Sequence, residues 1–161
     1  MTKDILRKAL PNLTDPKLLD RLLEKGQFST FEPGKTLMEP GQFVKAVPLV
    51  LEGSIKIMRM DEDGKELFLY YLEAGETCAL SLTCCSAARP SEIKAVVEEK
   101  VTVLFVPIQV HEQLTDEFKQ WKDFVSSTYQ HRFQEMLTVL DAIAFKRMDE
   151  RLMNYIVTKM K

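Results

Sequence analysis

The sequence predicts an α+β chain that is mainly β, with a barrel or sandwich of short strands set between two helical segments. Two observations carry this. Between Phe28 and Pro107, β-prone runs are punctuated by Gly34, Gly41, Gly53, Gly64 and Gly75, a turn signal roughly every ten residues. Before and after that region, apolar residues recur at helical spacing instead. The division is residues 1–27 as an N-terminal helical segment, 28–109 as the β region, and 110–161 as a helical region.

In the first segment Ile5, Leu6, Ala9 and Leu10, then Leu18, Leu19, Leu22 and Leu23, share helical faces. Pro11 and Pro16 break it. Asp15-Pro16 is a good helix start, because proline suits the first helical position, and Gly26 is a stop. The β region offers Thr36–Met38, Phe43-Val44, Val47–Leu51, Ser54–Met60, Glu66–Leu72, Ile93–Val97 and Val101–Val106. Asp61-Glu62-Asp63-Gly64 is its sharpest hairpin signal, since Asp-Gly supplies the positive φ angles of a tight turn. Glu98-Glu99-Lys100 reads as a solvated turn.

The third segment opens with a short helix over His111–Glu117. A long helix from about Glu117 to Ala144 then contains no glycine or proline. Tyr129, Phe133, Met136, Leu140 and Ile143 step by four, three, four and three, an a/d seam that also takes in Leu137, and Phe118, Trp121, Phe124 and Val125 widen the apolar face near the helix start. So broad and aromatic a face predicts a second copy of the chain as its cover, hence a homodimer. Met148–Lys161 reads as a further helix, with Leu152, Tyr155, Ile156 and Met160 on one face.

Composition narrows the function classes. With 45% hydrophobic and 29% charged residues in 161, the chain has the make-up of one soluble domain. No apolar run reaches a membrane-spanning length, so no membrane partner is expected. A net charge of -2 argues against direct nucleic-acid binding, which draws its affinity from phosphate neutralisation. Three cysteines are too few for a disulfide scaffold and fit a reducing cytoplasm. The β region holds no histidine, which removes a cupin-type metal enzyme, and no catalytic residues are assigned.

The order of Phe31-Glu32-Pro33-Gly34-Lys35, Leu51-Glu52-Gly53-Ser54-Ile55-Lys56, Asp63-Gly64-Lys65-Glu66 and Gly75-Glu76, followed by a dimer-type helix, resembles the effector-binding half of CRP/FNR-type transcription regulators. The resemblance implies a cyclic-nucleotide-binding-like β-roll, or jelly roll, flanked by N-terminal helices and a long dimerisation helix. Phe145 through Arg151 to Ile156 looks like the hinge and first helix of a DNA-binding domain. The expected helix-turn-helix would follow Lys161, so DNA would be bound only through that C-terminal unit. In such a sensor, a small effector in the roll repositions the dimer helices.

By this resemblance the effector pocket comprises Gly75, Glu76, Thr77, Cys78, Ala79, Leu80, Ser81, Arg89 and Ser91. Nucleotide-binding relatives hold the ribose with a glutamate, matched by Glu76, and clamp phosphate with an arginine about ten positions later. Ser86 stands at that spacing here; Arg89 is followed by Pro90, and a register set from Val101–Val106 puts Glu92 at the arginine position. Met136 and Leu137 stand where hydroxyl side chains would bond a purine. The expected effector is therefore not cAMP, and no cofactor is assigned.

Cys78, Cys84 and Cys85 lie in the place of the cassette helix. They lack the C-x-x-C pairing or nearby histidines of zinc and iron–sulfur sites, so no metal site is assigned. The first reading makes them small buried hydrophobes that shape the pocket. The second makes them redox-sensing thiols, a lowered pKa near a helix start being the physical route. Haem ligation by Cys78 or His131 has nothing further to support it. Another alternative is a cyclic-nucleotide module regulating a fused kinase or channel.

Overall fold

The computed structural model describes residues 3–160, except the side chains of Cys85, Ser86 and Ala87. It divides into two units, residues 1–128 and 129–161. The first contains α1 (Lys3–Ala9), α2 (Pro16–Lys25), β1 (Gln27–Phe31), β2 (Thr36–Met38), β3 (Ala46–Met60), β4 (Glu66–Glu73), α3 (Ala79–Ala87), β5 (Ile93–Pro107) and α4 (Ile108–Glu117). Helix α5 (Lys119–Lys159) begins in the first unit and makes up most of the second.

Every strand pairing is antiparallel, in the order β1-β5-β3-β4 with β2 also on β5. This is the β-roll with flanking helices and a long C-terminal helix that the sequence predicts. The turn from β3 to β4 is built by Asp61, whose carboxylate accepts from the Asp63 and Lys65 N–H groups at 2.9 and 2.8 Å. Asp15 caps α2 in the same way, accepting from the Lys17 N–H at 2.9 Å, with Pro16 at the first helical position.

Three features depart from the sequence reading. Val47–Leu51 and Ser54–Met60 are one strand, β3, and the last two β runs are also one strand, β5, which passes through Glu98-Glu99-Lys100 where a turn was expected. The reason is a close approach of backbones. Gly53 has φ 83, and a Cβ there would lie 2.1 Å from the Lys100 carbonyl oxygen. The two strands therefore bend together without parting, and the register shifts between Val50 and Ile55 record the bend. Secondly, β1 falls outside the expected runs and pairs with β5 from Gln27↔Phe105 to Phe31↔Val101. Thirdly, the two long C-terminal helices are one, because nothing in Lys119–Lys159 breaks a helix.

The first unit has two cores. Leu6, Leu18, Leu22, Leu49, Leu104 and Trp121 join α1, α2, the roll and the start of α5. Val50, Ile55, Leu72, Ile93 and Val103 fill the roll itself. Burying each such side chain contributes about 1.5–3 kcal/mol. Gln120 ties the α5 start to the α2 entry, its Oε1 accepting from the Thr14 and Asp15 N–H groups at 3.0 and 2.9 Å.

Candidate functional site

The segment after β4 is fastened to β3 before it turns into α3. Gly75, at φ 87, donates to the Val50 carbonyl at 2.8 Å, and a Cβ there would lie 2.4 Å from the Ala9 carbonyl oxygen. The Val50 N–H donates to the Glu76 carbonyl at 3.0 Å, and the buried Thr77 hydroxyl donates to the Pro48 carbonyl at 2.6 Å. These bonds fix where α3 begins.

From there α3 joins the two cores. Cys78 is 1% exposed and belongs to the core of the roll, with half-buried Leu80 packed against that core. Leu82 and Cys84 belong to the helical core, and Ala79 is buried. The Cys78 sulfur lies 3.4 Å from the Ser81 N–H and 3.6 Å from the Tyr70 hydroxyl. The helix closes through Ala88 in the left-handed region at φ 50, with the Arg89 N–H donating to the Cys84 carbonyl at 3.1 Å. The side chain of Cys85 lies outside the described residues.

A pocket of about 50 Å³ opens inside the roll beneath α3. Its walls include Leu37, Ile55, Ile57, Ile93, Ala95 and Phe105, with Cys78 and Ser81 contributed by the cassette. Glu76, Arg89 and Ser91 are not in its wall. The Glu76 carboxylate accepts from the Glu73 N–H at 3.1 Å. The buried Ser91 hydroxyl accepts from the Ile93 N–H at 3.1 Å and donates to the Ile93 carbonyl at 3.3 Å. Arg89 is exposed, and Glu92 pairs with Arg59 at 3.8 Å. The strand residues of the wall escaped the sequence reading. Their signal was the period-two alternation of Ile55 with Ile57 and of Ile93 with Ala95, which marks an inward face without marking a pocket.

Among the described residues no three histidine, cysteine, aspartate or glutamate side chains cluster as metal ligands. His111 is buried between α4 and α5, its Nδ1 accepting from the Trp121 Nε1–H at 3.1 Å. Burial pushes its imidazole below the ordinary range, against a smaller upward pull from Glu112. His131 is exposed, 3.1 Å from the Glu135 carboxylate. No helix is long and apolar enough to cross a membrane among the described residues.

In the second unit, Tyr129, Phe133, Met136, Leu137, Leu140 and Ile143 are all exposed on the single chain, Phe133 and Leu140 by 54% and 53%. Phe145, Met148, Leu152 and Tyr155 are exposed as well. At about 100° per residue, this later apolar stripe is rotated by about 120° from the first.

The cyclic nucleotide-binding domain family matches residues 28–118, more than half of the chain. The global nitrogen regulator of Synechococcus elongatus is 22% identical over 131 residues, covering 81% of this chain and 59% of that protein. The catabolite activator protein of Thermus thermophilus has a similar structure, with TM-score 0.70, 21% identity, and coverage of 85% of this chain and 63% of that one. So has the c-di-GMP responsive global regulator CLP of Xanthomonas campestris, with TM-score 0.71, 16% identity, and coverage of 81% and 65%. The chain thus spans about 59% of the length of the curated relative it matches. With its β-roll, its cassette helix and this match along the roll, the chain belongs to the cyclic nucleotide-binding domain family.

Proposed function

We propose that this chain is the sensory and dimerisation part of a CRP/FNR-type transcription regulator, in which a small effector other than cAMP biases the pose of paired α5 helices. The observation that carries the reading is the exposed a/d seam from Tyr129 to Ile143. A helical face of this width is stable in water only when covered, and the heptad spacing fits a copy of itself. The rotation of the apolar stripe after Ala144 supports a change of partner there: the seam for the second copy, the later stripe for a DNA-binding unit. The names of the relatives fit a whole protein that acts on transcription.

An effector other than cAMP is supported by the cassette. A cyclic phosphate calls for a guanidinium or free N–H groups. A register taken from Val101–Val106 puts Glu92, which pairs with Arg59, at the clamp position, and the Ser91 hydroxyl is engaged with Ile93. The pocket, at about 50 Å³, is far below the several hundred cubic ångströms of a drug-sized ligand site.

Light scattering tests the dimer. The chain is expected to have a dimer's mass, and Phe133→Glu, which puts a charge into the seam, a monomer's. A variant that keeps the dimer's mass overturns the seam.

A further inference from the structure

The pocket beneath α3 is built for something other than the constellation of Glu76, Arg89 and Ser91. Its walls are nearly all aliphatic or aromatic, from Val44 and strands β2 to β5, and its polar groups are Cys78, just before α3, and Ser81 on α3. Ser81 is 6% exposed and lines the pocket, and its hydroxyl has no hydrogen-bond partner among the described residues. The Cys78 sulfur beside it is already engaged by the Ser81 N–H and the Tyr70 hydroxyl. Water is a poor occupant, because it needs two to four polar partners and finds one free hydroxyl. A charged ligand is worse, since the wall supplies no counter-ion and burial would strip its hydration. Size sets a further bound: an apolar cavity of about 150 Å³ holds benzene, and this one is about 50 Å³.

We infer that this pocket receives a small uncharged molecule, smaller than benzene, whose apolar body lies against Ile55, Ile57 and Phe105 and whose single hydrogen-bonding atom meets Ser81. This rests on the reading of the roll as the effector-binding body, and it names the effector's chemical class. The site also explains how occupancy reaches the rest of the first unit. Cys78 and Ser81 touch the ligand, while Leu82 and Cys84, on the same helix, pack in the core shared with α1 and α2. A ligand that presses on one end of α3 loads the other core.

Methyl NMR of the full chain tests this with xenon and propan-1-ol as probes and cAMP as comparator. Saturable shifts of the Leu37, Ile55 and Ile57 methyl signals are expected with xenon and with propan-1-ol. Ala95→Val fills the pocket and is expected to abolish both. Ser81→Ala, a milder change, should leave xenon binding intact and weaken propan-1-ol by about two- to tenfold, the worth of one neutral hydrogen bond. Absence of saturable shifts in a dimeric wild-type chain overturns the pocket inference and leaves the proposed function standing. So does propan-1-ol binding unaltered by Ser81→Ala. Saturable binding of cAMP at these methyls overturns the effector class in both readings, whereas a monomeric mass with intact xenon binding overturns the dimer alone.

Discussion

Helix α5 passes through two different environments. At its start Trp121 is fully buried, its indole N–H bonded to His111 and its ring packed beside Phe124. Beyond Thr128 the same helix shows Phe133, Met136 and Leu140 to solvent. The first unit is held by its own cores. The second has helical hydrogen bonds and little else, and a helix without a packed face is marginal in water. Order in the first unit should therefore be independent of protein concentration, whereas order in the second should follow the concentration of chains able to cover it.

The largest break in the first unit is expected from Gly53→Ala. The new methyl would meet the Lys100 carbonyl at 2.1 Å, in a residue already held at φ 83. Left-handed strain and overpacking together should cost about 3 kcal/mol or more. The melting temperature should fall by about 10 °C, by the same amount at every protein concentration. A fall that vanishes in concentrated samples would mean that the roll, too, depends on a partner.

The same contrast explains what could be read from the sequence. Local signals were legible: Asp15-Pro16 as a helix start, Asp61 to Gly64 as the hairpin, the seam from Tyr129 to Ile143 as one face. Each is decided by residues a few positions apart. What escaped is decided by residues far apart. Gly53 and Lys100 meet across two strands, so the fusion of four expected β runs into β3 and β5 has no local sign. β1 begins directly after Gly26, and a short run beside a helix stop carries little alternation. The pocket joins Leu37, Ile55, Ile93 and Phe105 from three strands, while the cassette resemblance pointed to Glu76, Arg89 and Ser91. The bond between His111 and Trp121 crosses two helices, and neither residue's neighbours announce it.

That bond supplies a prediction of intermediate size. His111 is held neutral because its Nδ1 accepts from Trp121 and burial disfavours the imidazolium. Its folded pKa lies below the ordinary histidine value of about 6.5, so below that pH the unfolded chain binds a proton that the folded chain does not. Stability from this group is thus complete above about pH 6.5. It declines as the pH falls, until the folded imidazole itself protonates. Melting followed by the fluorescence of the single tryptophan should show a lower midpoint at about pH 5.5 than at about pH 7.5. His111→Asn, which offers an amide oxygen to the indole N–H without titrating there, should flatten that slope. An equal slope in the variant would assign the acid sensitivity to carboxylates elsewhere.

The smallest effect should come from Ala88, at the end of the cassette helix. The Arg89 N–H reaches back to the Cys84 carbonyl only because Ala88 adopts φ 50, a conformation that glycine takes without strain. Ala88→Gly relieves that strain but adds freedom to the unfolded chain, so the net gain should be about 0.5–1 kcal/mol. The melting temperature should rise by about 2–4 °C, independently of protein concentration, as befits a change inside the first unit. Because Ser81 sits near the other end of α3 and Cys78 just before it, a firmer C-terminus should leave the pocket walls where they are. An unchanged or lowered melting temperature would mean that the turn after α3 is held by its surroundings, with the Ala88 conformation costing nothing. The cassette would then draw its order from the two cores it joins, in contrast to the exposed half of α5, which has no core of its own to draw on.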